Sequence, residues 1–356
     1  MLRLPTTASV FPWTEAAEKR RGRGMRGSGP PQPNVAPKPV GSPRLPVQPS
    51  LIVHGGAWNI PKEAAAGCRR GIHHSLEAGW TVLSGGGAAL DAVEAAIVAL
   101  EDDPAFNSGF GAYLNRDGRI QLDAIVMDGA TLKAGAVAAV ERVRNPIRLA
   151  RCILEKSPHM MLVADGAETF AADNGILLCT PEELITESNR LAWRRCLEHS
   201  HSPEHHFGHA HGTVGAVARD SKGKLFAGTS TGGTCCKFPG RVGDSPLIGC
   251  GCYADAESGG VSCTGYGEAI MKIMMAKTAI DLLQDERILL PHRKRSGSVS
   301  LAQAVADACV RKLAHRAHAA GGLILLDREG RPAAAFNSAQ MAYGYVAPDG
   351  SYHIAP

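Results

Sequence analysis

The chain has 356 residues, 44% of them hydrophobic and 20% charged, with a formal net charge of +4. That balance predicts a soluble globular protein with one large domain or two small ones. No apolar run approaches the length of a membrane span and no segment has the layout of a secretory leader. Ten cysteines at no regular spacing then predict reduced thiols in a cytoplasmic protein, not a disulfide framework.

Residues 1–50 carry eight Lys or Arg against only Glu15 and Glu18, so the remainder is slightly acidic. A near-neutral body excludes nucleic acid as its main partner. The same fifty residues hold ten of the 22 prolines and lack apolar periodicity, which predicts a disordered extension. Its Arg-rich, acid-poor character fits a mitochondrial leader, but its proline density works against the amphipathic helix such a leader needs. Residues 51–356 are expected to form a single domain.

Order is predicted to begin with a strand at Leu51-Ile52-Val53, running into His54-Gly55-Gly56. Ala64 to Leu83 and Ala88 to Glu101 read as amphipathic helices separated by Gly85-Gly86-Gly87. Strands are predicted at 119–127 and 134–140, a helix from Asn145-Pro146 to Lys156, and a strand or strand-like turn at 160–165. Residues 182–211 read as a helix followed by a linker. Beyond Thr213 come strands and turns, helices at 266–284 and 300–317, and two closing strands at 322–327 and 332–337. Strands cluster in each half with helices flanking them, the pattern of stacked sheets covered by helices.

Thr213 to Ala218 and Leu225 to Thr231 read as a hairpin. A three-residue loop with Gly223 in the left-handed conformation pairs Asp220 with Lys224, and that register sets Thr213 opposite Thr231. Threonine is a good strand residue in any case. A threonine hydroxyl is a weak nucleophile that needs an adjacent base. Cleavage of the Gly212–Thr213 bond would supply one, the residue's own α-amine, with a reference pKa of about 7.7–8.0. Glycine at 212 leaves room for a strained approach of the hydroxyl to the carbonyl of the bond to be cleaved, that of Gly212.

Seven segments, in order and at matching spacing, now identify a family. They are Leu100-Glu101-Asp102-Asp103-Pro104, Phe106-Asn107-Ser108-Gly109, Met127-Asp128-Gly129, Gly212-Thr213-Val214-Gly215-Ala216-Val217, Thr229-Ser230-Thr231-Gly232-Gly233, Gly240-Arg241-Val242-Gly243-Asp244-Ser245-Pro246 and Ser262-Cys263-Thr264-Gly265. Over residues 51–345 the chain resembles the plant-type asparaginases and isoaspartyl peptidases, which are N-terminal nucleophile hydrolases. The resemblance implies an α+β fold, a four-layer αββα sandwich. It also implies autocleavage into 1–212 and 213–356, and a homodimer of cleaved protomers.

It further implies roles for single residues. Thr213 is the nucleophile and Thr231 tunes its proton. The Thr264 hydroxyl and Gly265 N–H hold the oxyanion at a helix start, where Thr264 has the alternative reading of an N-cap. Asn107 orders the site. Arg241 offers a planar fork to a carboxylate and Asp244 faces an ammonium group; Gly267 lies beside them in the substrate site. Without the resemblance, Arg241 and Asp244 read as an ion pair in a turn. The expected reaction is hydrolysis of the β-amide of L-asparagine or of β-aspartyl dipeptides, with no cofactor and no catalytic metal. A structural sodium ion on backbone carbonyls of the 100–108 loop is implied as well. The alternatives are hydrolysis of glycosylasparagine on the same scaffold, and an uncleaved relative that only binds. Trp58 and Tyr266 are bulkier than the family's usual residues; Tyr266 is expected to narrow the pocket, and either to shift substrate preference without removing activity.

Three groups invite other readings. Histidines 199, 201, 205, 206, 209 and 211 suggest zinc or nickel, although a linker tract explains them as well. Cys235, Cys236, Cys250, Cys252 and Cys263 lack the paired spacing of a zinc knuckle and read as buried free thiols. Asp123 and Asp128 read as solvated strand-end carboxylates.

Overall fold

The computed structural model describes residues 47–199, 212–285 and 300–355. The expectations placed on the proline-rich extension and on the histidines from 201 to 211 lie outside these residues.

Strand β1 (Ser50–Trp58) opens the fold. Helices α1 (Lys62–Ser84) and α2 (Ala89–Glu101) follow it. Strands β2 (Leu122–Asp128) and β3 (Ala134–Val140) lead to α3 (Pro146–Lys156), whose first-turn proline gives up an N–H that has no helical partner there. The predicted strand at 160–165 is only β4 (Met161–Val163). Ala164 then turns left-handed at φ 48° and starts a helix the sequence reading missed, α4 (Ala164–Asp173). Helix α5 (Glu187–His199) precedes the hairpin of β5 (Val214–Arg219) and β6 (Leu225–Thr231).

A second hairpin, β7 (Cys252–Asp255) and β8 (Gly259–Gly265), runs into α6 (Gly267–Ile273) and α7 (Met275–Gln284). The single helix predicted at 266–284 is broken at Met274, which is left-handed at φ 46°. The break is fixed from outside: the Ala276 and Lys277 N–H groups donate to the carbonyls of Cys250 and Gly249, at 3.2 and 2.9 Å. Helix α8 (Leu301–Ala317) is capped by the Ser300 hydroxyl, which accepts from the Gln303 N–H at 3.1 Å. The chain closes with four strands, not two: β9 (Gly321–Asp327), β10 (Pro332–Phe336), β11 (Gln340–Val346) and β12 (Tyr352–Ala355).

Among the described residues the strands form two sheets, of eight in the order β12-β11-β1-β5-β6-β2-β3-β4 and of four in the order β10-β9-β8-β7. Alternation along the strands sorts the core into three apolar layers. Leu51, Val53, Leu122, Ala124, Val126, Val214, Ala216 and Phe226 face α1, α2 and α3. Ile52, Ile125, Met127, Val217, Leu225 and Ala227 face the other way, against Cys252, Ala254, Ile324 and Leu326 of the second sheet. Val261, Cys263, Leu323 and Leu325 pack beneath α6, α7 and α8. Three apolar layers need four layers of structure to enclose them, which is the expected αββα sandwich. No helix among the described residues is long and apolar enough to cross a membrane.

Candidate active site

Strands β5 and β6 pair from Val214↔Ser230 to Arg219↔Leu225. The Asp220 N–H donates to the Lys224 carbonyl at 3.0 Å, with Gly223 at φ 78° in the loop. The predicted register therefore holds, and it brings two buried hydroxyls together at the open end of the hairpin. Thr213 Oγ1 donates to Thr231 Oγ1 at 3.2 Å, and Thr231 Oγ1 also accepts from the Gly233 N–H at 3.0 Å. Asn107 fixes that glycine turn: its Nδ2 donates to the Gly233 carbonyl at 2.6 Å, and its own carbonyl accepts from the Gly232 N–H at 2.9 Å.

Thr213, Thr231, Arg241, Asp244, Gly265 and Gly267 line one cleft. Gly233, Thr234 and Ser245 line it too, although no role was assigned to them from the sequence. Gly267 is there for space. A Cβ on it would stand 2.8 Å from Asp244 Oδ1 and 2.9 Å from Arg241 Nη2.

Asp244 is buried, and its Oδ2 has no hydrogen-bond partner among the described residues. Desolvation pushes its carboxyl up to about 7, against the pull of the Arg241 charge. An ammonium group in the cleft would supply both the missing partner and the missing charge. Arg241 differs from expectation. Its Nε and Nη2 donate to Glu268 Oε1 and Oε2 at 2.9 and 2.8 Å, so its fork is held by a carboxylate of this chain. The residue responsible is two positions into α6, where a helix start favours an acid, and nothing in its spacing pointed to Arg241.

Thr264 lies in β8 and is not a helix cap; the N-cap position of α6 belongs to Tyr266. The Thr264 Oγ1 accepts from the Ala57 N–H at 3.3 Å, an arrangement that leaves the hydroxyl proton to be donated elsewhere. Gly265, at φ 138°, passes so close to β9 that a Cβ would lie 2.5 Å from the Gly321 Cα. Tyr266 packs on the second helical layer's core and is not among the residues lining the cleft. Trp58 lines a separate cavity, together with Asn107, Tyr113, Asn189 and Gly212. The two cavities thus flank the Gly212–Thr213 bond. Gly212 is not in the left-handed region; it provides clearance, since a Cβ would sit 3.3 Å from both N and Cβ of Asn107.

Beside Thr213 lies a polar cluster to which the sequence gives little clue. His54 Nε2 is 2.8 Å from Ser262 Oγ, which is 2.8 Å from Thr229 Oγ1. Burial lowers the His54 pKa to about 3, so its imidazole is neutral. Gly215 makes the space for it, because a Cβ there would lie 2.0 Å from Ser262 Oγ. The one available signal was a histidine in an otherwise apolar strand.

Asp123 corrects an expectation. It is fully buried, not a solvated strand-end carboxylate, and faces Thr231 across the β2–β6 ladder. Burial raises its carboxyl and lowers the Lys237 ammonium, each against the other's charge. Asp128 is half-buried and closes a turn, accepting from the Ala130 N–H and the Thr131 hydroxyl, both at 2.8 Å. Cys250, Cys252 and Cys263 are buried free thiols, as expected.

A four-layer αββα sandwich that presents a threonine at the head of a central strand, beside a cleft, defines the N-terminal nucleophile class of hydrolases. The family model described as Asparaginase matches residues 47–355, and the chain belongs to that family. It is 41% identical over 309 residues to the isoaspartyl peptidase/L-asparaginase of Homo sapiens, covering 86% of this chain and 96% of the relative. The enzyme of the same name from Danio rerio is 40% identical over 306 residues, covering 86% and 94%. The isoaspartyl peptidase of Salmonella typhimurium is 42% identical over 313 residues, covering 83% and 95%.

Proposed function

We propose that the chain is made as a precursor, cleaves itself between Gly212 and Thr213, and then hydrolyses the β-amide of L-asparagine and of β-aspartyl dipeptides to release L-aspartate. The observation that carries this reading is the pairing of Thr213 with Thr231 in one cleft with Arg241 and with Asp244, whose Oδ2 has no hydrogen-bond partner among the described residues. Relatives named for the same two activities support it.

In the precursor, Thr213 Oγ adds to the Gly212 carbonyl carbon and its proton passes toward Thr231. The C–N bond breaks as that proton is returned to its nitrogen, freeing the Thr213 amine, and water then splits the resulting ester. In the mature site the amine serves as base for its own hydroxyl. Thr213 Oγ attacks the β-carbonyl carbon of the substrate while Asp244 holds the α-ammonium and Arg241 the α-carboxylate, through the guanidinium edge that Glu268 leaves free. The Thr264 hydroxyl and the Gly265 N–H stabilise the oxyanion. The departing amine takes the proton that the Thr213 amine had accepted. Water, deprotonated by that amine, resolves the ester to aspartate.

Asn107 acts by holding the Gly232–Gly233 turn. The assembly is a homodimer of cleaved protomers, a reading supported by the family resemblance, and the free thiols of the described residues suit the cytoplasm. A structural sodium ion belongs to the same reading.

The test is mass spectrometry of the purified protein for a fragment beginning at Thr213, joined to assays of aspartate release. β-Linked dipeptides with varied second residues are all cut; α-linked aspartyl peptides and N-acetyl-asparagine are not. Release of aspartate at comparable rates from the N-blocked compound would show that Asp244 does not read an ammonium.

A further inference from the structure

Of the ten cysteines, Cys196, Cys235 and Cys236 meet closely. Their three Sγ atoms lie within 4.8 Å of one another, the only such group of three potential metal ligands among the described residues. Cys196 comes from α5. Cys235 and Cys236 follow the Gly232-Gly233-Thr234 stretch that borders the Thr213 cleft. Neighbouring side chains in extended backbone diverge, and here a left-handed turn at Cys236, φ 56°, accompanies their convergence. That conformation is costly for a residue with a Cβ. It is pinned by two hydrogen bonds, from the Cys236 N–H to the Leu114 carbonyl at 2.9 Å and from the Arg116 N–H to the Lys237 carbonyl at 2.9 Å. Cys236 Sγ, 3.7 Å from the Trp193 carbonyl, faces α5 one turn before Cys196.

We infer that Cys196, Cys235 and Cys236 form a thiolate site for a thiophilic divalent cation of the zinc class, bridging α5 to the loop that borders the cleft. Zn–S bonds of about 2.3 Å place tetrahedral sulfurs about 3.8 Å apart, so the three thiols need to close by only a fraction of an ångström to about one ångström. Binding displaces the thiol protons to solvent, and a solvent oxygen completes the four positions. A disulfide would use two sulfurs and leave no role for the third. The site joins residues on opposite sides of the Gly212–Thr213 bond, but it stands on the thiols alone and does not depend on cleavage or turnover.

The experiment uses the full chain, reduced and stripped with a chelator, then titrated with Cd²⁺ as a spectroscopic probe and with Zn²⁺ against a chromophoric indicator. One equivalent of Cd²⁺ per chain produces the ultraviolet thiolate-to-cadmium band. Cys196→Ser, Cys235→Ser and Cys236→Ser each weaken binding at least about tenfold, and Cys309→Ser, in the core under α8, does not. Histidines elsewhere can hold zinc but cannot give that band. The proposal is overturned if the wild-type protein shows no band, if the band survives in the triple serine variant, or if the air-exposed protein holds a Cys196–Cys235 disulfide and takes up no metal after reduction. The wild-type titration decides the matter even where a variant fails to fold.

Discussion

Asp244→Asn separates what this carboxylate does for function from what it does to the fold. In the unfolded chain the group ionises near 3.8, and in the fold near 7. Between these values the folded state keeps a proton that the unfolded state has lost. The stability this confers is full below about pH 4 and is lost as pH rises through 7. At about 1.36 kcal/mol per pH unit, holding the ionised group at pH 8 costs up to about 4 kcal/mol. An asparagine has nothing to ionise. The variant should therefore match wild type near pH 4 and exceed it by about 2–4 kcal/mol at pH 8, the lower figure allowing for an amide set beside Arg241. Denaturant melts at both pH values, in a Thr213→Ala background so that neither chain is cleaved, measure the difference. In the Thr213-intact protein the same change leaves the substrate ammonium unpartnered. Breaking a buried pair costs about 3–5 kcal/mol, so kcat/KM falls by roughly two to three powers of ten. A variant equally destabilised at both pH values, or one keeping kcat/KM within tenfold of wild type, would refute the reasoning.

Thr213→Ala abolishes both cleavage and turnover because hydroxyl and amine belong to one residue. Thr213→Ser retains part of each, as read by gel and by aspartate release. Gly267→Ala puts a methyl 2.8 Å from the buried Asp244 Oδ1; it should raise KM at least about tenfold and cost about 1–3 kcal/mol of stability in a denaturant melt, since the added carbon must displace Asp244 or Arg241. Arg241→Lys keeps the charge but loses the paired bonds to Glu268, and should weaken substrate binding by about 1.5–3 kcal/mol. His54 is buried neutral with its pKa lowered to about 3. It contributes stability above about pH 6.5 that is lost as pH falls toward 3. His54→Asn should flatten that limb of the stability profile, and an unchanged acid limb would show that His54 is not its source.

Local chemistry made much of this protein legible from its sequence. The Asp220–Gly223 turn fixes the β5–β6 register by its own geometry, and that register alone sets Thr213 against Thr231. The first helix pair is readable because apolar spacing and the Gly85–Gly87 break are properties of contiguous residues. Such signals reach only a few residues along the chain, and the rest of the site is made by contacts across it. Asp123 resembles a solvated carboxylate until β3 and β6 close over it on either side. Glu268 has no visible tie to Arg241 until α6 swings it there. Cys196 stands 39 residues from Cys235 and meets it only when α5 packs on the loop after β6. Met274 breaks a continuous helical pattern because carbonyls of Gly249 and Cys250 claim the next N–H groups. Strand β11 forms by pairing with the side of β1 that β5 does not occupy. Hydrogen-bond partners and burial, unlike periodicity, are set by residues distant in the sequence, and only the folded chain assigns them.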